Sequence, residues 1–134
     1  KIKSTDFFTG LFSTSLKDGE IITAVRIPVP PDGTKTTYQK FSQPASRFAI
    51  VGCAVMRFAN GKTNIAFTGV GENAFRDNEA ENAVAGNAID EASINKAMNT
   101  SLKNITVMGD HFASQEYRRH LAKVYLKKAL QAVA

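Results

Sequence analysis

Apolar residues along this chain switch between helical and alternating spacing, and each stretch predicts an element. From Ser4 to Leu16 the residues Phe7, Phe8, Leu11, Phe12 and Leu16 recur at i, i+3/i+4. That spacing predicts a short helix or compact turn with Ser4, Thr5 or Asp6 as cap, although Gly10 weakens it. Lys17-Asp18-Gly19 reads as a turn. Ile21, Thr23, Val25 and Ile27 then alternate with Ile22, Ala24 and Arg26, which predicts a first strand over Ile21 to Ile27. Pro28, Pro30 and Pro31-Asp32-Gly33 end it, because proline donates no ladder hydrogen bond and Asp-Gly favours a turn.

A second strand is predicted from Thr36 to Phe41. Phe48 to Ala59 and Lys62 to Val70 read as the arms of a hairpin. Asn60-Gly61 sits between them, and the expected geometry is a type I′ turn with positive φ at both residues. Beyond Gly71 the period becomes helical: Asp77 to Val84, stopped by Gly86-Asn87, then Asp90 or Glu91 to Met98. Ile105 to Met108 reads as a short strand or an extended loop. A long helix starts near Ser114, with Glu116 in its first turn to complement the helix dipole. Its apolar arc is Leu121, Ala122, Val124, Tyr125, Leu126, Ala129 and Val133, facing away from Glu116, Arg119, His120, Lys123 and Lys127. Strands followed by helices predict an α+β layer arrangement, without internal repeats.

At 134 residues the chain is long enough to bury one core, and 43% hydrophobic with 22% charged residues is the balance of a globular protein. No apolar run approaches the roughly 18 residues of a membrane span, and no leader pattern is present. A chain that opens on Lys1 rather than Met is expected to be a fragment or a processed product. The lone Cys53 cannot pair within the chain, which suits a reducing cytoplasm. It lies in an apolar alternating run and reads as a small buried hydrophobe. The net charge of +5 permits nucleic-acid binding without arguing for it, since no zinc-finger spacing, RNA-recognition aromatics or arginine-rich arm occurs.

Few residues carry chemistry. Gly69-Val70-Gly71-Glu72-Asn73-Ala74 matches G-x-G-x-x-A after a strand, with Asp90 and Glu91 close to 20 residues on, the formal dinucleotide pattern. The preceding strand is one arm of a hairpin, and two helices broken at Gly86 stand where the motif needs one, so turn glycines are the better reading. His111 and His120 have no partner at metal-ligand spacing. Arg119, Lys123 and Lys127 form a basic stripe, read first as a solvated face and second as a partner contact. Lys40, on the second strand beside the Ser42 to Arg47 loop, is the remaining cation placed to meet an anionic or electron-rich ligand.

Several stretches, weak singly and specific in their order, are Asp6-Phe7-Phe8-Thr9-Gly10-Leu11, Gly19-Glu20-Ile21-Ile22-Thr23-Ala24-Val25-Arg26-Ile27-Pro28 and Tyr38-Gln39-Lys40-Phe41. They continue in Pro44-Ala45-Ser46-Arg47-Phe48-Ala49-Ile50-Val51-Gly52, Thr68-Gly69-Val70-Gly71, Phe75-Arg76, Glu79-Ala80-Glu81 and Tyr117-Arg118-Arg119-His120-Leu121-Ala122. Through them the chain resembles the C-terminal part of the FAD-binding (medium) subunit of molybdenum hydroxylases, the family of carbon monoxide and xanthine dehydrogenases. The resemblance implies an antiparallel sheet of three to four strands packed on about three helices over residues 30–134. It implies that residues 1–29 are the tail of a preceding FAD-binding domain.

It further implies an oxidoreductase complex with a molybdenum-cofactor subunit and an iron–sulfur subunit, in which this piece lines the flavin site without catalytic residues of its own. Carried over residue by residue, Ile22, with Ile21 beside it, would lie against the flavin and Lys40 would approach it. Xanthine dehydrogenases carry acidic residues in the loop after that lysine. This chain has Ser42-Gln43-Pro44-Ala45-Ser46-Arg47, which places it nearer the carbon monoxide dehydrogenase branch. The alternative is a stand-alone interaction module of the same fold without flavin.

Overall fold

The computed structural model describes all 134 residues. It is an α+β fold: one four-stranded antiparallel sheet in strand order, with three helices covering one face. The strands are β3 (Lys35–Ser42), β4 (Ala49–Arg57), β5 (Thr63–Thr68) and β6 (Phe75–Arg76), and the helices are α2 (Asn78–Val84), α3 (Glu91–Thr100) and α4 (Gln115–Ala132). Ahead of them stand a single helical turn, α1 (Ser4–Phe7), and a small hairpin of β1 (Phe8–Gly10) and β2 (Ser13–Thr14). Of the short helix or compact turn expected over Ser4 to Leu16, one helical turn forms and the small hairpin follows, with a left-handed Phe12 (φ 57°) redirecting the chain.

The predicted strand over Ile21 to Ile27 does not form. No backbone hydrogen bond joins residues 21–30 to any part of the chain, and Ile21, Val25, Ile27 and Val29 are each more than three-quarters exposed. Alternation makes a segment fit for a sheet, but a strand exists only where another strand offers its donors and acceptors. The Asn60-Gly61 turn also differs. Ala59, Asn60 and Gly61 form a three-residue loop closed by Phe58 N–H to the Lys62 carbonyl (2.9 Å), and only Gly61 has positive φ (82°). Asn60 instead uses its side chain, accepting from Lys62 N–H (3.0 Å). That is a tight turn closed by a glycine bulge.

The core is built by period-2 positions meeting helical arcs. Val51, Cys53 and Val55 of β4 and Ile65 and Phe67 of β5 meet Ala80, Ala83 and Val84 of α2, Ile94 and Ala97 of α3, and Leu121, Ala122, Leu126, Ala129 and Leu130 of α4. Each large side chain so buried contributes about 1.5–3 kcal/mol. Asp77 caps α2 by accepting from Ala80 N–H (3.1 Å), and its other oxygen accepts from the Ser101 hydroxyl (2.7 Å) and Leu102 N–H (3.0 Å). One buried carboxylate therefore ties the start of α2 to the end of α3. Ile105 to Met108 is an extended loop, fixed by Met108 N–H to the Val70 carbonyl (2.8 Å).

Gly69 has φ 76°, and a Cβ there would stand 2.5 Å from the Ile50 carbonyl oxygen and 2.8 Å from that of Ala49. Gly69→Ala should destabilise the fold by about 2–3 kcal/mol, as left-handed strain adds to a backbone clash. Gly86→Ala, also at positive φ but facing open space, should cost about 1 kcal/mol. Urea denaturation followed by circular dichroism checks the order; equal costs would contradict the close approach.

Candidate functional site

Chemistry-bearing groups gather where β3 runs into β4. Phe41 points to the helical layer, its ring 6.2 Å from Tyr117 and 6.3 Å from Tyr125. By the period of a strand, Tyr38 and Lys40 stand on the opposite, uncovered face. Lys40 pairs in register with Gly52, and Gly52 with Thr68. A Cβ on Gly52 would collide with the Tyr38 hydroxyl and the Thr68 methyl, so the glycine lets the phenol lie flat across the sheet beside Lys40.

The loop after β3 is closed by its own polar groups. Gln43 N–H donates to the Phe48 carbonyl (2.8 Å), Arg47 N–H to the Gln43 carbonyl (2.9 Å), and the Gln43 side chain accepts from Ser46 N–H (2.5 Å). Arg47 is left-handed at φ 60°, a conformation that costs about 1–3 kcal/mol away from glycine. Lys40 Nζ donates to the Arg47 carbonyl (3.0 Å) and so helps hold it there. Lys40 has no other hydrogen-bond partner and is exposed, leaving ammonium protons free. Phe48, next to Arg47, is 79% exposed. An exposed aromatic beside two cations offers a planar apolar surface with positive charge at its rim.

Ile21 and Ile22, the other two expected residues, lie on the irregular segment between β2 and β3, 80% and 55% exposed. No hydrogen bond joins that segment to Lys40. As one edge of an FAD site the Lys40 end fits: a free ammonium beside an open aromatic. As a diphosphate cradle it does not, because Gly69 is pressed on the Ala49–Ile50 backbone and Gly71 lies against the Phe75 ring. These glycines are thus turn and close-packing residues, as preferred over the dinucleotide reading, with Gly69 pressed on backbone.

His111 lies tilted against its neighbour Phe112 with ring centroids 3.8 Å apart, and His120 is exposed on α4. The basic stripe is not uniform. Arg119 donates to the Leu102 (3.3 Å) and Ile105 (3.2 Å) carbonyls, and Lys127 lines a cleft of about 360 Å³ with Ile89, Asp90, Glu91 and Ile94, while Lys123 is free.

Sequence reasoning missed Arg118. It is 6% exposed. Its Nη1 donates to the Ile50 and Gly69 carbonyls (2.5 Å each), and its Nη2 to Asp110 Oδ2 (2.6 Å). Burial pushes the Asp110 carboxyl up, but the Arg118 guanidinium and the N–H groups of Phe112 and Ala113 outweigh it and hold the group below the usual carboxylate range. The signal was available, because position 118 is three and four residues before Leu121 and Ala122, on the buried arc of α4.

A model of the CO dehydrogenase flavoprotein C-terminal domain matches residues 36–133. The chain is 32% identical over 137 residues to the glyceraldehyde dehydrogenase medium chain of Sulfolobus acidocaldarius, covering 99% of this chain and 48% of that one. It is 29% identical over 134 residues to the carbon monoxide dehydrogenase medium chain of Afipia carboxidovorans, covering 97% and 46%. Among solved structures, it superposes with a TM-score of 0.86 on carbon monoxide dehydrogenase from Hydrogenophaga pseudoflava lacking the Mo-pyranopterin moiety of its molybdenum cofactor. That match has 28% identity over 96% of this chain and 46% of the other. The chain spans about half the length of these relatives.

Cys53 is fully buried, and burial, with Asp77 adding to it, pushes its thiol up to about 12. The thiolate is the reactive form. Cys53 should therefore be silent to a thiol-disulfide reagent at pH 8 in the folded protein and react stoichiometrically in denaturant; rapid native labelling would contradict the burial.

Proposed function

The chain belongs to the CO dehydrogenase flavoprotein C-terminal domain family, and on that premise we propose that it is the C-terminal part of the FAD-binding subunit of a molybdenum hydroxylase. In this reading residues 30–134 form one wall of the flavin site. Residues 1–29 are the tail of the preceding FAD-binding domain, whose sheet would take up the unpaired segment around Ile21 to Ile27. The subunit works with a molybdenum-cofactor subunit and an iron–sulfur subunit. Bound FAD supplies electron transfer between the iron–sulfur clusters and a terminal acceptor.

The carrying observation is the end of the sheet at Lys40. An ammonium with protons to spare stands on a face that no helix covers, flanked by Tyr38 and next to a loop that presents Arg47 and Phe48 to solvent. Lys40 would hydrogen-bond an electron-rich edge of the ring and offset negative charge gained on reduction. Ile22 and Ile21 would exclude water from it. The exposed aliphatic segment supports the domain division, because four bulky side chains left in water are what a missing sheet neighbour produces.

The 134-residue chain alone should bind FAD weakly or not at all, since it holds no diphosphate cradle, while the intact subunit binds it. Stoichiometric yellow flavin in the purified 134-residue chain would sink that division of labour and leave the cofactor grip here. In the intact subunit, Lys40→Ala should weaken FAD by about ten- to a hundredfold, the worth of a charged hydrogen bond of about 1.5–3 kcal/mol. It should also lower the flavin potential, because a cation favours the more negative reduced ring. Unchanged affinity and potential would remove Lys40 from the site and favour the interaction module.

A further inference from the structure

Below the loop that carries Arg47 and Phe48, the sheet comes apart. The last β4–β5 pair is Gly52 with Thr68, and a bulge at Phe41/Ser42 leaves Ile50 without a partner on β3. Two carbonyls, of Ile50 and Gly69, are thus left at the divergence without strand donors. Arg118 fills both from the helical side with one nitrogen, while its other terminal nitrogen is fixed by Asp110. Asp110 is itself oriented by Phe112 N–H (2.9 Å) and Ala113 N–H (3.0 Å). Only a planar fork serves three acceptors in this way; a lysine would bring a point charge on a flexible stem.

We propose that Arg118 is the positioning residue of the Lys40 end of the sheet. Two residues before Ile50 stands Phe48, whose carbonyl receives Gln43 N–H, and one before that is Arg47, whose carbonyl receives Lys40 Nζ. The contacts run without a break from Asp110 through Arg118 and the Ile50 backbone to the loop, and from the loop to the ammonium. Arg118 thereby sets the height of Phe48 and the reach of Lys40 from its buried place on the helical side. The link to flavin rests on the reading given above; the link to the loop does not.

The test uses the intact FAD-loaded subunit with Arg118→Lys, Asp110→Asn and Lys40→Ala, all measured well below their melting temperatures. Amide exchange of residues 43–50 and 69–71 and the flavin potential are the readouts. Arg118→Lys should keep the far-UV spectrum, speed exchange in both segments by about tenfold or more, and lower the potential in the direction of Lys40→Ala. Asp110→Asn should do the same to a smaller extent.

Exchange and potential at the wild-type values, with only the melting temperature lowered, would overturn the proposal and leave Arg118 a core peg. If Arg118→Lys does not fold, Asp110→Asn decides by the same two readouts. If exchange rises in 43–50 while Lys40→Ala leaves the flavin unaltered, the positioning role stands and the flavin reading fails.

Discussion

A buried guanidinium without acceptors would be untenable in this core, and the protein is arranged so that Arg118 has three. Taking a charge out of water costs several kcal/mol unless its hydrogen bonds are replaced. That demand fixes how α4, already packed on the sheet through its apolar arc, is aligned with the strand ends. The first turn of α4 must lie under the diverging ends of β4 and β5. The loop before α4 must fold back so that Asp110 reaches it, and Gly69 must stay a glycine so that its carbonyl can approach beside that of Ile50. The hydrophobic arc of α4 supplies much of the packing energy, but a smooth apolar contact tolerates sliding and a forked hydrogen bond does not.

The sheet is asymmetric in a way that separates stability from chemistry. One face, through Val51, Cys53, Val55, Ile65 and Phe67, is committed to the helices and fully buried. The other carries Tyr38, Lys40, Gly52 and Thr68 and no helix. Small residues there let a phenol lie flat instead of building a second core. Polar loop closure at Gln43 to Phe48 then holds a left-handed arginine and an exposed aromatic at the rim, where a large partner can meet them. The same logic extends to residues 21–30, whose side chains alternate like a strand and have no sheet. Both regions leave bulky or charged side chains exposed.

Legibility followed the range of the interaction. The hairpin of β4 and β5, the three helices and the cap at Ser114 depend on neighbours within a few residues, and they stand within two or three residues of the expected bounds. Periodicity also placed most of the α4 core face, leaving out Leu130. It failed at Ile21 to Ile27, because alternation reports fitness for a sheet and not the presence of one. The turn type at Asn60-Gly61 failed for a similar reason: the dipeptide permits two positive φ values, but strand register chose a three-residue loop that needs only one. The family was legible from ordered short motifs.

Sequence alone therefore determined the α+β class, the helical layer, the burial of Cys53 and the family, since all of these rest on local period or on ordered motifs. Tertiary structure decided what each polar residue does. It gave Gly69, read as a turn glycine, a close backbone contact with Ala49 and Ile50, took Arg119 out of the basic stripe, and revealed Arg118 and Asp110 as one unit joined to Ile50. Those partners are 8 to 68 residues apart in the chain. A hydrogen bond requires its acceptor within about 3 Å, and only the folded chain specifies which acceptor that is.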